Sequence, residues 1–435
     1  MTVTSPDPIV FARMRRDDAH TLDGFLATGG YQGLRKALSM TPEQVHEEVK
    51  VSGLTGRGGA GFPAGVKWGF CPEGVHPRYV VVNGDESEPG TCKDRQLMER
   101  DPHQVIEGAV ICAYAIGAAK VFLYVRGEMA LAQERMATAL NDAYVHGAVG
   151  QGIFGSTFSV DVVLHWGAGA YIVGEETALI ESLEGKRGMP RIKPPYFPAA
   201  KGLYMQPTIV NNIETLSNLG WIMVHGGKVF ADLGAETATG TRLFSLSGHV
   251  QRPGNYEVEQ SVTTFRDLIY DPSLGGGVRD GNQLKAFVPG GASAPWLFEE
   301  HLDLRLDPAD VTEAKTMLGS GAVVVMDHTT CAVRAAWRLV RFFAHESCGK
   351  CTPCREGVTW LEQILWRIET GAGRTEDLEL LLDVCDNISP GLEWPPKMTT
   401  ICPLGPSAPS PVYPSIRRFR DEYLAHIDGG GCTFD

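Results

Sequence analysis

Tyr79-Val80-Val81-Val82-Asn83-Gly84-Asp85-Glu86-Ser87-Glu88-Pro89-Gly90 sets a β-branched run directly against an acidic, glycine-bounded turn. Such a run reads as a short buried strand, and the loop at its carboxyl end is where open α/β sheets hold ligands. The pattern continues outward. Asp101-Pro102 opens a helix of small and apolar residues to about Ala118, 121–125 is a second strand, 128–144 a helix and 158–164 a third strand. A helix over 175–183 follows. Strands alternating with helices imply right-handed crossovers and a mostly parallel sheet. Upstream, residues 1–50 read as an extended lead-in and short helices, one opened by Thr41-Pro42-Glu43-Gln44.

Downstream the texture changes twice. Leu243-Phe244-Ser245-Leu246-Ser247 alternates like a half-buried strand, Pro253-Gly254-Asn255 turns, and 256–259 answers it; a helix over 265–270 and a strand over 284–288 complete a small β-rich domain. From Asp327 the spacing is helical. Val333, Ala336, Trp337, Val340 and Phe343 share one face; 358–368 is a second helix stopped by Gly371. Thr375 caps a third with Leu378, Leu381, Leu382, Cys385 and Ile388 as its stripe, and 414–427 is a fourth. A four-helix bundle is the natural packing.

A chain of 435 residues exceeds one core, so several domains are expected. The net charge of −13 argues against a nucleic-acid partner. No apolar stretch is long enough for a membrane span, and residues 1–21 carry no signal-peptide core, so membrane chemistry is assigned to another subunit. Lys186, Arg187, Arg191, Lys193 and Lys201 form an acid-free basic run, the first place to look for a phosphate. Ten cysteines in a tight cluster and scattered singles do not read as a disulfide framework; a reducing compartment follows.

That cluster, Cys348-Gly349-Lys350-Cys351-Thr352-Pro353-Cys354, is the most specific chemical feature. Two-residue spacing lets one irregular loop present three thiolates to a cubane, and Gly349 and Pro353 are expected to prevent regular helix there. Zinc is the rival metal, since it too accepts four thiolates. For the fourth ligand, Cys385 reads as a core thiol, Cys331 opens a helix leading away, and Cys432 belongs to a glycine-rich tail expected to be mobile. Cys402, before Pro403 in an irregular loop, is favoured.

Gly56-Arg57-Gly58-Gly59-Ala60-Gly61 satisfies G-x-G-x-x-G but follows no strand, so it does not establish a dinucleotide fingerprint. Its glycines offer close backbone approach to a flat or phosphorylated ligand. Carboxylates at Asp85, Glu86 and Glu88 suit ribose hydroxyls and disfavour a 2′-phosphate, hence NAD over NADP. Gly167-Ala168-Gly169-Ala170-Tyr171 and Gly174-Glu175-Glu176 also follow a strand and open a helix.

These strings, with Phe62 to Trp68, Val210-Asn211-Asn212-Ile213-Glu214-Thr215 and 346–357, resemble the NADH-oxidising flavoprotein subunit of respiratory complex I from about residue 50 onward. The resemblance implies a Rossmann-like α/β domain binding FMN and NADH, a ubiquitin-like β-grasp (SLBB-like) domain and a helical domain bearing one 4Fe–4S cluster. It sets the divisions at 1–62 (extension and glycine loop), 63–236, 237–326 and 327–435. It implies that Gly56, Arg57, Gly58, Gly59, Gly61, Lys67, Asn83, Asp85, Glu86 and Ser87 cradle FMN, and that Asn211 and Asn212 hold its phosphate and ribityl chain. Gly174, Glu175 and Glu176 line the flavin face, Tyr171, Glu88 and Lys193 contact cofactor, and Phe62 and Phe70 stack on the adenine of NADH. Cys348, Cys351, Cys354 and Cys402 carry the cluster. The chain has Pro194-Pro195-Tyr196-Phe197-Pro198 where the family has Pro-Pro-Phe-Pro, so Tyr196 and Phe197 both qualify for the adenine.

The function so implied is hydride transfer from NADH to FMN, then single-electron transfer through the cluster toward quinone. A 2Fe–2S small subunit and a large multi-cluster subunit are the implied partners, on the cytoplasmic side of a membrane-bound complex. The alternative is the diaphorase chain of an NAD-reducing hydrogenase or formate dehydrogenase.

Overall fold

The structure, a computed structural model, describes residues 8–434. The first seven residues of the expected lead-in therefore lie outside the described residues. The chain divides into two compact units. The first comprises residues up to Ser87, Thr91–Ser245 and Asn255–Thr263; the second comprises Glu88–Gly90, Leu246–Gly254 and everything after Thr263.

The first unit is built on four parallel strands, β1 (Tyr79–Gly84), β2 (Lys120–Val125), β3 (Asp161–Trp166) and β4 (Thr208–Asn212), in the order β3-β2-β1-β4. Central β1 is sealed on both faces, with Val80, Val81 and Val82 fully buried, which is why it reads as an unbroken apolar run. β4 is legible only in hindsight: five residues ending in two asparagines show neither alternation nor an apolar run.

The strands are joined by α1 (Lys93–Arg100), α2 (Pro102–Ile116) and α3 (Ala130–His146), with α4 (Glu176–Leu183) after β3 and α5 (Ile213–Ser217) after β4. α2 is buried along nearly its whole length and closed by Gly117 at φ 64°, a left-handed stop glycine adopts without strain. Two further short helices matter for the site: α6 (Pro42–Val51), whose Thr41 and Gln44 form the expected capping box, and α7 (Ala64–Trp68).

A second sheet contains β5 (Thr241–Gly248), β6 (Gly254–Glu259), β7 (Leu284–Val288) and β8 (Ala322–Asp327), in the order β6-β5-β8-β7. β8 lies inside that sheet, so its Val323-Val324-Val325 core lacks the alternation that announces an edge strand.

From Ala332 onward the second unit is helical: α8 (Ala332–Glu346), α9 (Thr352–Glu369), α10 (Asp377–Ile388), α11 (Leu404–Ser407), α12 (Val412–Arg418) and α13 (Arg420–Asp428). α8, α9 and α10 pack in succession, and α12 closes against α8 and α10. All five residues expected on the inner face of α8 are buried. Three expectations are corrected. Pro353 does not prevent helix: it sits in the first turn of α9, where its missing N–H costs nothing. The third helix is preceded by Glu376 rather than capped by Thr375. The fourth is two helices, broken at Phe419 (φ −121°, ψ 34°), whose ring packs edge-on against Phe298.

Candidate active site

In a sheet ordered β3-β2-β1-β4, the chain leaves β1 toward one side and returns through β4 on the other. The crevice beyond the carboxyl ends of those two strands is a topological switch point, the place where open α/β sheets take ligands. Strand register aligns Asn83 with Asn212 and Val82 with Asn211 across it.

The glycine loop closes on itself, with Gly56 N–H donating to Phe62 O at 2.9 Å and Ala64 N–H to Leu54 O at 2.8 Å. Arg57 turns inward. Its guanidinium is fully buried and donates to Thr239 O (3.1 Å), Thr241 O (3.0 Å) and Thr55 Oγ1 (2.7 Å), while its N–H donates to Thr215 Oγ1 (2.9 Å). Burial and the charge of Arg242 lower its pKa to about 10 against the pull of Glu214. Arg57 anchors the loop, and Gly59 and Gly61 face outward. Gly59 (φ 131°) and Gly61 (φ 66°) hold backbone conformations that side chains disfavour, and neither has an atom within 4 Å of where a Cβ would stand. Open space against bare backbone fits a flat or phosphorylated group.

Beside the loop, α7 and the start of α4 carry a chain of alternating charges. Lys67 Nζ lies 2.9 Å from Glu176 Oε2 and also donates to Val210 O; Lys193 Nζ lies 2.9 Å from Glu175 Oε1 and 3.2 Å from Glu176 Oε1. Glu175 Oε2 also accepts the N–H groups of Thr177 and Ala178, capping α4. Burial acts to raise Glu176, but Lys67 and Lys193 outweigh it and hold the carboxyl below its ordinary value. Burial likewise acts to lower Lys193, and Glu175 and Glu176 reverse it. The basic run is thus no bare cationic patch: Lys186 and Arg191 also pair, with Glu181 and Glu184.

The remaining residues of this unit converge with differing commitments. Asn83 donates to Gly174 O at 2.9 Å, and Ser87 Oγ lies 3.3 Å from Asp85 Oδ2 and 3.4 Å from Tyr171 O. Asn211 accepts from Trp68 Nε1, and Asn212 caps α5 through Glu214 N–H. Glu86 accepts from Asp94 N–H (2.8 Å) and Arg95 N–H (2.9 Å), so both its oxygens serve the start of α1. Burial and Asp94 push it up to about 7, with Lys93 opposing. Phe62 and Phe70 are exposed neighbours with ring centroids 5.8 Å apart; Tyr196 and Phe197 are exposed as well. Glu88 belongs to the second unit, where it accepts from Ser293 N–H and Oγ, each at 2.7 Å.

Beneath the site lies a group not singled out from sequence. Lys93, fully buried, meets Asp94 at 3.0 Å and Glu214 at 2.7 Å, and Asn212 donates to Asp94 at 2.6 Å. Burial acts to lower Lys93, and its acidic partners raise it to about 12. A charged pair between two breaks in apolar patterning was the only signal, and it does not distinguish a surface turn from a buried base.

In the second unit, Cys348 and Cys351 are half-buried and precede α9, and Cys354 is buried in its first turn with Ser347 Oγ at 3.2 Å. Gly349 sits at φ 75°, the left-handed geometry that bends the run. Cys402 is buried just before α11, which packs on α9. Cys385 is enclosed in α10, and burial drives its thiol far up. Cys331 lies at the start of α8 and Cys348 beyond its end, and the 15-residue helix between them is about 22 Å long at 1.5 Å per residue. Three soft donors within seven residues suit an iron–sulfur group or zinc.

Residues 49–221 match the family described as the Nuo51 FMN-binding domain, and residues 334–426 the NADH-ubiquinone oxidoreductase-F iron-sulfur binding region. The NADH-quinone oxidoreductase F subunit of Mycobacterium tuberculosis (strain H37Rv) is 52% identical over 411 residues, 93% of this chain and 89% of its own length. Its counterpart in Streptomyces coelicolor is 49% identical over 429 residues, 98% of this chain and 93% of its own. Among solved structures, an NAD+-reducing NiFe-hydrogenase in the H2-reduced state superposes with a TM-score of 0.80 at 34% identity, over 93% of this chain and 66% of the hydrogenase chain. With both the nucleotide half and the cysteine half matched, and near full-length identity to these relatives, the chain belongs to the family of NADH-quinone oxidoreductase F subunits.

Proposed function

We propose that the chain oxidises NADH at the β1–β4 crevice and passes the electrons on toward quinone within a larger complex. The observation that carries this is the crevice itself: open-backed Gly59 and Gly61, the Asn83–Asn212 pair and the Lys67–Glu176–Lys193–Glu175 frame meet at the switch point. FMN, when bound, supplies two-electron acceptance from NADH and one-electron release, and a 4Fe–4S cluster one-electron transfer.

The residues divide the remaining labour. Backbone at Gly56, Gly58, Gly59 and Gly61 approaches the flavin, with Arg57 holding the loop from behind. Asn83, Asp85, Ser87, Asn211 and Asn212 hold its polar chain, and Glu86 and Lys93 keep that floor in place. Tyr171, Gly174, Glu175 and Glu176 form the wall where nicotinamide stacks. Lys67 and Lys193 keep Glu176 ionised; hydride transfer requires no proton donor, and no acid–base catalyst is assigned. Phe62 and Phe70 receive the adenine, and the Asp85 carboxylate disfavours a 2′-phosphate. Cys348, Cys351, Cys354 and Cys402 are the cluster ligands.

The finer architecture belongs to the same reading: a β-grasp domain over 237–326 and a four-helix cluster domain over 327–435, after an extension to 62 and a nucleotide domain over 63–236. So do the partners, a 2Fe–2S small subunit and a large multi-cluster subunit, on the cytoplasmic side of the membrane. No helix among the described residues is long and apolar enough to cross one. The hydrogenase likeness supports a second reading, a diaphorase chain of an NAD-reducing hydrogenase or formate dehydrogenase. Co-purification separates the two by whether quinone-reductase or hydrogenase subunits accompany the chain.

The test is anaerobic reconstitution with FMN, iron and sulfide. Yellow protein that reduces ferricyanide with NADH and shows a dinucleotide-reducible paramagnetic centre is expected. Protein holding neither pigment nor centre overturns the proposal.

A further inference from the structure

We propose that the second unit carries a separate transition-metal site, best suited to zinc, made by Cys331, Glu369, His426 and Cys432. One ligand atom from each lies within 4.8 Å of all the others. Cys331 Sγ is 3.2 Å from His426 Nε2 and 3.9 Å from Glu369 Oε2, and Nε2 is 3.7 Å from Oε2. A tetrahedron with metal bonds of about 2.0–2.3 Å has edges of about 3.3–3.8 Å, so these donors already stand near coordination distance.

The surroundings prepare each donor. His426 Nδ1 lies 2.8 Å from Glu422 O and donates to it, which leaves the Nε2 lone pair facing the cluster. Arg334 Nε lies 2.6 Å from Glu369 Oε1, so the guanidinium holds one oxygen and the other, Oε2, faces inward. Cys331 stands at the start of α8, a 15-residue helix, and accepts from Arg334 N–H. Glu369 and His426 are almost fully buried.

Cys432 is brought in by the segment after α13, which is held in place. Gly431 N–H donates to His426 O (2.8 Å) and Cys432 N–H to Glu369 O (3.1 Å), while the Phe434 ring stacks over His426 and lies under the Lys285 ammonium. The expected mobile tail is corrected accordingly.

The chemistry balances. Binding turns two thiols into thiolates, whose protons pass to solvent, and a divalent ion with two thiolates and one carboxylate carries one excess negative charge. Arg334 offsets it. Two sulfurs, one imidazole nitrogen and one carboxylate oxygen in a closed tetrahedral set suit Zn²⁺ over Mg²⁺ or Ca²⁺. The site staples the start of α8, the end of α9 and the end of α13, at the far end of α8 from the Cys348–Cys354 run.

Metal content of the anaerobically purified full chain, its iron–sulfur group intact, tests this. About one zinc per chain is expected besides iron. Cys432→Ser and His426→Gln should each lower zinc to under a tenth while iron and flavin stay constant. Cys351→Ser should lower iron and leave that zinc, and Cys71→Ser should leave both. Cobalt(II) replacing the zinc should give the intense visible bands of a tetrahedral thiolate site, lost in Cys432→Ser. Zinc absent from the wild type, zinc retained in Cys432→Ser, or a Cys331–Cys432 disulfide by mass spectrometry in place of metal overturns the proposal.

Discussion

The two halves of this protein concentrate their chemistry in opposite ways. The cysteine run places three thiols in seven residues, Cys348 to Cys354, so one bend and the first turn of one helix position them. The crevice draws on the glycine loop, the ends of β1 and β4, the start of α4 and Lys193, spread over more than a hundred residues and joined only by ion pairs and strand register. Soft thiolates need only a bend and a metal to gather them. A surface that receives a neutral ring and a charged chain must be assembled from groups whose charges balance one another first.

Substitutions can break that contrast. The largest effect is expected from Cys351→Ser, which should remove the cluster's paramagnetic signal and lower cluster-dependent electron transfer by more than a hundredfold, while flavin content stays within twofold. Loss of flavin together with iron would show that the halves are not chemically independent. Next is Lys93→Met. Removing one partner from a fully buried ion pair costs about 3–5 kcal/mol, and both Lys93 and Glu214 are fully buried. A fall of that size in urea-monitored stability is expected, together with lost flavin, and the cysteine half should retain its iron.

A smaller effect tests whether buried acids in the α/β half carry stability of their own. Burial pushes Glu107 up from 4.5 to about 7, and its carboxylate accepts from Leu34 N–H at 2.9 Å. Between those values the folded chain holds a proton that the unfolded chain has released, so stability falls as pH rises through that window. Urea midpoints at about pH 5 and about pH 7.5 should therefore differ in wild type, and Glu107→Gln should reduce the difference. An unchanged difference would remove Glu107 as its source. The smallest change sharpens the contrast at the surface. Phe62→Ala and Phe70→Ala delete exposed rings worth roughly 1 kcal/mol in stacking, so KM for NADH should rise roughly fivefold while stability stays within about 0.5 kcal/mol.

Legibility followed the same division. The alternation of strand and helix from Tyr79 to Leu183 exposed the parallel sheet, because buried parallel strands advertise themselves as unbroken apolar runs. β4 and β8 escaped, one too short and polar at its end, the other an inner strand without alternation. The Arg57 guanidinium folds inward, which the sequence does not announce, since a string of glycines says where backbone is free and nothing about which way the one long side chain turns.

Taken alone, the order of residues determined the α/β class, the glycine loop, the acidic turn after β1 and the cysteine run, all of which depend on spacing within one or two elements. Only the folded chain decided that Asn83 faces Asn212, that Lys67 and Lys193 clasp the same carboxylate, and that Cys331 and Cys432 meet His426 and Glu369. Lys67 and Glu176 alone are 109 positions apart, and through-space distance between such groups is set by packing and charge pairing, which no local pattern encodes.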